Sequence, residues 1–258
     1  MARRVAGAVA AVALTGTLAL VLLARTEQEA PTPRAAPGAP TILSPQQDPR
    51  APAQRSDGRA VRGPFGARLT RRVLLRARPG GRILRPIGLR TEFGSQRVLA
   101  VVERKRGWLG VLTHHVGNSR TAWIPAAGVR LVREPYTLQV DLSARRLVVR
   151  RESRVARRIT IAIGRPETTT PTGRFAVTDV LAVGGAASPY GCCVLALTGR
   201  QPNIPQGWTG GDRLAIHGTT NERTVGTAVS SGCLRARERD MRWLIANVPL
   251  GAPVRIRA

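Results

Sequence analysis

From Arg68 to the end, the chain offers apolar residues mostly in short runs separated by turns, and that punctuation confines it to short strands. The runs are Val73-Leu74-Leu75, Arg82-Ile83-Leu84, residues 98–102, 107–111 and 121–125. Arg78-Pro79-Gly80-Gly81 reads as a tight turn and Gly94-Ser95 as a second break, because Pro presets φ and Gly admits the left-handed conformation. Strands this short at close spacing predict a small barrel. His114-His115 falls in an expected hairpin loop and reads as a solvated pair.

The pattern continues from Tyr136. Thr137 to Leu142 alternates, residues 143–146 turn, and residues 147–150 return as a hairpin partner. A third strand is expected over 159–163, followed by a bend at Thr170-Pro171-Thr172-Gly173. A helix is expected over 235–247, with Leu234, Met241, Leu244, Ile245 and Val248 on its apolar face and Pro249 and Gly251 ending it. A strand over 253–257 closes the chain. The expected class is mostly β with one short helix.

The N-terminus speaks to compartment. Arg3 and Arg4 precede an uncharged run over residues 5–24. Twenty helical residues span about 30 Å, enough for a bilayer core, and the basic flank predicts a cytoplasmic N-terminus with the remainder exported. A transmembrane signal anchor over 1–24 is the favoured reading over a cleavable signal peptide, since Leu23-Ala24-Arg25 is a poor cleavage site. The expected location is a single-pass protein of the cell membrane, its bulk facing the cell wall. Residues 25–63 carry Pro at 31, 33, 37, 40, 45, 49 and 52 and read as a disordered spacer.

Net charge is +26, with Lys105 the only lysine. Residues 65–134 hold 15 basic and 3 acidic side chains. Such a balance invites a nucleic-acid reading. Export, and the lack of a basic helix or aromatic stacking platform, argue against it. Attraction to anionic wall polymers is the alternative, set against a plain compositional preference for arginine.

Two short motifs carry the chemistry: Ala215-Ile216-His217-Gly218-Thr219 and Ser230-Ser231-Gly232-Cys233-Leu234-Arg235. A thiol beside an imidazole is the minimum equipment for nucleophilic acyl transfer. The competing reading is a structural His and a small buried Cys. An expected helix start just after Cys233 would lower its pKa, and the amides of Gly232 and Cys233 could form an oxyanion hole. Cys192-Cys193 leaves open one buried and one exposed thiol, a vicinal disulfide, or a bridge to Cys233 that would inactivate it. No His, Cys or Asp cluster has metal-ligand spacing, and no cofactor is expected.

The run from Leu75 to Gly81, then Trp108-Leu109-Gly110-Val111, then Ala122-Trp123-Ile124-Pro125 resembles bacterial SH3-like domains of cell-wall proteins. This implies a binding or spacing domain over 64–134. Over 135–258, the strand-hairpin-strand opening, Thr170-Pro171-Thr172-Gly173, Ile216-His217-Gly218-Thr219, Ser230 to Arg235 and the helix ending in Val248-Pro249-Leu250-Gly251 resemble the L,D-transpeptidase catalytic domain of the YkuD type. The resemblance implies a β-sandwich enzyme acting on peptidoglycan stem peptides. It implies Cys233 as nucleophile, His217 as base, Gly218 as the carbonyl that orients the imidazole, and Arg235 as a substrate-carboxylate or loop-bracing residue. The family has Ser-His-Gly-Cys where this chain has Ser231 before Gly232, which bears on rate and substrate preference rather than reaction class. An L,D-carboxypeptidase and a catalytically lapsed wall-binding protein are the alternatives.

Overall fold

The computed structural model describes residues 63–183, 188–204 and 211–258, together with a two-residue strand β1 (Thr41–Ile42). The expected anchor, and all of the Pro-rich spacer except that strand and Gly63, lie outside the described residues. Among the described residues no helix is long and apolar enough to cross a membrane.

The first module is a seven-stranded antiparallel sheet. Its strands are β2 (Phe65–Leu69), β3 (Val73–Arg76), β4 (Ile83–Ile87), β5 (Val98–Lys105), β6 (Trp108–Leu112), β7 (Thr121–Pro125) and β8 (Val129–Arg133), in the order β4-β3-β7-β6-β5-β2-β8. Period-two alternation sets which side chains face in: Val73 and Leu75 are buried while Leu74 between them is exposed. Leu69, Leu75, Val111 and Ile124 form the centre of its core. Its cations fold back over aromatic faces, Arg104 over Phe65 at 4.5 Å and Lys105 over Trp123 at 5.0 Å, so their stems cover apolar surface while the charged heads stay wet.

The second module runs through β9 (Tyr136–Asp141), β10 (Arg146–Arg151), β11 (Arg154–Thr160), β12 (Ile163–Gly164), β13 (Gly173–Ala182), β14 (Cys193–Arg200), β15 (Arg213–His217), β16 (Ala228–Ser230), β17 (Leu234–Arg235), α1 (Glu238–Asn247) and β18 (Pro253–Arg257). The sheet order is β11-β10-β9-β18-β13-β14-β15-β17, with β1 paired to β13 and a separate parallel pair β12-β16. The ten-residue β13 is shared: residues 173–176 pair with β18 and residues 177–182 with β14. Phe175, Leu138, Leu147, Leu195, Leu214 and Ile216 are fully buried in the core of this module, and Met241 and Leu244 of α1 join the same core.

Three expectations are corrected. The helix starts at Glu238 rather than residue 235, because Leu234 and Arg235 are taken by a parallel pairing with Ile216 and His217. The strand expected over 159–163 is two: β11 begins five residues earlier, and β12 pairs with β16. Repeated arginines hid β11 from a hydrophobic reading, yet charge is what an edge strand needs to resist pairing with other chains. His114 is not solvated but buried, 6% exposed, and burial with the neighbouring Arg213 charge holds it neutral, down to about 3.

The modules meet along a mixed seam. Ala100 and Leu112 pack against Ala176, and Thr91 donates from its hydroxyl to the buried Asp179 carboxylate. The Asn118 amide takes both backbone groups of Arg200, at 2.7 and 2.8 Å. Glu134, 2% exposed, is wedged at the seam, where a Cβ on Gly66 or Gly251 would press on its Oε1. Its Oε2 has no hydrogen-bond partner among the described residues, and burial pushes the carboxyl up to about 8.

A carboxyl raised in the fold favours folding below its unfolded value and loses that contribution as pH climbs towards the folded one. We expect Glu134→Gln to melt about 5 °C above the parent at pH 8, the gap closing towards pH 4.5. Thermal melts across that range check it.

Candidate active site

Two residues of parallel ladder create the site. Ile216 pairs with Leu234 and His217 with Arg235, which lays the segment carrying Cys233 against the strand that ends in His217. Together with Tyr190, Gln201, Arg213 and Ser231, these two residues and Arg235 line one cleft.

The imidazole is fixed by its own neighbour. His217 Nδ1 lies 2.6 Å from the Gly218 carbonyl; a carbonyl only accepts, so Nδ1 carries the proton and Nε2 is left with the lone pair. Burial drives His217 down to about 4, with the Arg235 charge in the same direction, outweighing that hydrogen bond. Tyr190 stands edge-on to the ring at 5.1 Å.

The thiol is neutral as well. Burial pushes Cys233 up, against the weaker opposing effects of a backbone hydrogen bond with Ala215 and the Arg235 charge. The expected helix-dipole activation is absent, since β17 and the cap residue Arg237 separate Cys233 from α1. The thiol donates to the Arg213 carbonyl at 3.8 Å; among the described residues no hydrogen bond joins it to His217. The resting pair is therefore thiol and imidazole, not an ion pair.

The nucleophile loop is held from inside by residues that sequence reasoning missed. Ser230, 1% exposed, accepts from the Gly232 amide at 3.0 Å and donates to the Cys233 carbonyl at 2.5 Å. Thr170, first residue of the Thr-Pro-Thr-Gly motif, donates to the Gly232 carbonyl at 2.9 Å. Gln201 Nε2 reaches the carbonyls of Thr168, Thr169 and Ser231. Gly232 has φ +114, and a Cβ there would collide with the Gln201 amide. The motif's place before a strand and the Ser ahead of Ser231 were the available signals; Gln201 left none.

The oxyanion reading is altered accordingly. The Gly232 amide is spent on Ser230, and of the two expected donors only the Cys233 amide lacks an acceptor among the described residues. Ser231 lines the cleft and its hydroxyl makes no hydrogen bond among the described residues, so nothing stands in for a second imidazole. Arg235 lies beside both catalytic candidates, with a buried Nε that has no partner among the described residues.

Glu238 ties down the turns flanking the base strand: its carboxylate accepts from the Cys192 amide at 2.9 Å and the Thr219 amide at 3.0 Å. Cys192 and Cys193 are joined to one another as a vicinal disulfide, leaving Cys233 as the free thiol. Among the described residues no three His, Cys, Asp or Glu side chains converge as a metal would require.

Residues 135–256 match the family model of the L,D-transpeptidase catalytic domain, YkuD. L,D-transpeptidase YqjB of Bacillus subtilis is 31% identical over 132 residues, covering 48% of this chain and 71% of that protein. The chain belongs to the L,D-transpeptidase family. L,D-transpeptidase YkuD of Bacillus subtilis is 33% identical over 122 residues, 47% of this chain, and the chain spans 66% of that relative's length. A crystal structure of L,D-transpeptidase 3 from Mycobacterium tuberculosis aligns over 54% of this chain and 73% of its own at 16% identity and a TM-score of 0.41.

Two outcomes are expected of the transpeptidase domain. Gly232→Ala should slow thiol acylation by about a hundredfold, read by mass spectrometry of the adduct, because the loop must abandon its left-handed residue. With His217 neutral down to about 4, the acylation rate should hold from pH 7 to 5 and fall only near 4 as the base is protonated; a fall centred at 6 to 7 would contradict the neutral pair.

Proposed function

We propose that the chain is a peptidoglycan L,D-transpeptidase working through a Cys233 acyl-enzyme. The observation that supports it is one cleft holding a free thiol beside an imidazole whose Nε2 is left unprotonated. The thiol turns from the Arg213 carbonyl towards His217 when substrate enters. As Sγ attacks the carbonyl between the third residue and the terminal D-alanine of a tetrapeptide stem, its proton passes to Nε2. The Cys233 amide donates to the developing oxyanion. Collapse breaks the amide bond and His217 returns the proton to the departing D-alanine amine. The acceptor amine then attacks the thioester, giving a proton to Nε2, and the thiol is restored; water in its place makes the same chemistry an L,D-carboxypeptidase.

The rest of the chain is read around that reaction. The first module acts as an SH3-like domain whose exposed arginines attract anionic wall polymers, and residues 1–24 anchor the enzyme in the membrane with both modules facing the wall. Arg235, with its unpartnered Nε, takes the carboxylate of the stem.

Incubation with a tetrapeptide donor and with a carbapenem tests the reading. Parent protein should release D-alanine and gain the adduct mass; Cys233→Ala should do neither while melting within about 2 °C of the parent, since Ala fits a site built for a small side chain. His217→Ala should retain slow acylation that rises with pH. Release of D-alanine by Cys233→Ala at the parent rate would refute the nucleophile.

A further inference from the structure

Gln201, just after β14, and Gly211, Asp212 and Arg213 around the start of β15 line the cleft, and the first module bonds Arg200 and Arg213 in these same segments. At the end of β14, the Asn118 amide takes both backbone groups of Arg200, and the His114 carbonyl accepts from Arg200 Nε at 3.1 Å. Arg200 is followed by Gln201, whose backbone amide bonds the Asp212 carbonyl at 2.7 Å and whose side chain props the nucleophile loop at Ser231. At the start of β15, Glu92 forms an ion pair with the Arg213 guanidinium, which also reaches the Leu197 carbonyl at 2.8 Å and the Thr178 hydroxyl at 2.9 Å. The main-chain carbonyl of that same Arg213 accepts the Cys233 thiol.

We infer that the first module is a working part of the active site, with Glu92 and Asn118 as positioning residues that set the nucleophile through Arg213 and through Arg200–Gln201. Neither lines the cleft. Each fixes a backbone segment one step removed from the nucleophile loop: the Arg213 carbonyl holds the thiol, and the Gln201 amide holds the carbonyls of the loop behind it. Misplacing a reacting atom by about 1 Å costs on the order of a hundredfold in rate, so drift of these two backbone segments is enough to matter. The interface therefore serves catalysis as well as adhesion. This inference rests on Cys233 being the nucleophile proposed above.

Its mark is a thiol that ionises more readily yet reacts more slowly. Without Glu92 the Arg213 side chain loses an anchor and its main-chain carbonyl loosens from the thiol; losing that acceptor favours thiolate, while Arg235, the charge that acts on the thiol, is unchanged. The full-length protein carrying Glu92→Gln, Asn118→Ala or both is compared with the parent and with Glu103→Gln, an acid of the same module that pairs with Lys105. Carbapenem acylation is timed by mass spectrometry, and iodoacetamide alkylation of Cys233 is followed against pH. Expected are about threefold slower acylation for each single variant, about tenfold for the double, and an alkylation midpoint lowered by about half a unit in the variants lacking Glu92. Glu103→Gln should match the parent.

Parent acylation rates in the folded double variant would overturn the inference. So would slower acylation with an unmoved alkylation midpoint in Glu92→Gln, the mark of a merely structural contact. If the double variant does not fold, the Glu92→Gln pair of readouts decides alone. A parent protein that cannot be acylated overturns the functional reading instead, so the two failures are distinct.

Discussion

Everything at the site depends on two rungs of parallel ladder, Ile216 to Leu234 and His217 to Arg235. Parallel strands cannot be joined by a tight turn, so the chain between them must travel outward and return. That excursion carries the 3-10 turn at Glu222–Thr224, β16 and the nucleophile loop. On its return, the register of Leu234 and Arg235 brings Cys233 to the same cleft as the imidazole. A slip of one residue would turn the side chains of Leu234 and Arg235 to opposite faces, putting an apolar side chain in the cleft and a guanidinium in the core.

The same burial that gives register its force removes charge from the reacting pair. His217 and Cys233 both sit where ionisation is costly, and one guanidinium beside them, Arg235, favours thiolate and disfavours imidazolium together. The resting pair thus keeps its proton on sulfur. Precision in the loop offsets the modest reactivity of a neutral thiol. Ser230, Thr170 and Gln201 supply it with hydrogen bonds made to backbone, which act whatever side chain stands at position 231.

Much of the fold was legible because alternation and turn residues act locally. Val73-Leu74-Leu75, Thr137 to Leu142 and the closing β18 announce themselves by period and punctuation. What failed to show had non-local causes. Leu234 and Arg235 have no local reason to be extended; a partner eighteen residues earlier makes them so. His114 reads as solvated until a second module closes over it. The meeting of His217 and Cys233 in one cleft was legible through their motifs, whereas Gln201 and Glu238 are ordinary polar residues whose importance comes from the carbonyls and amides they meet.

The pairing of Cys192 with Cys193 has a consequence beyond the turn it closes. In a chain with three cysteines, oxidation can join any one of them to a sibling sulfur. Here the two siblings consume one another and form a ring too small to include a third. Cys233 is left with no sulfur partner in its own chain, so a disulfide at that thiol must come from another molecule.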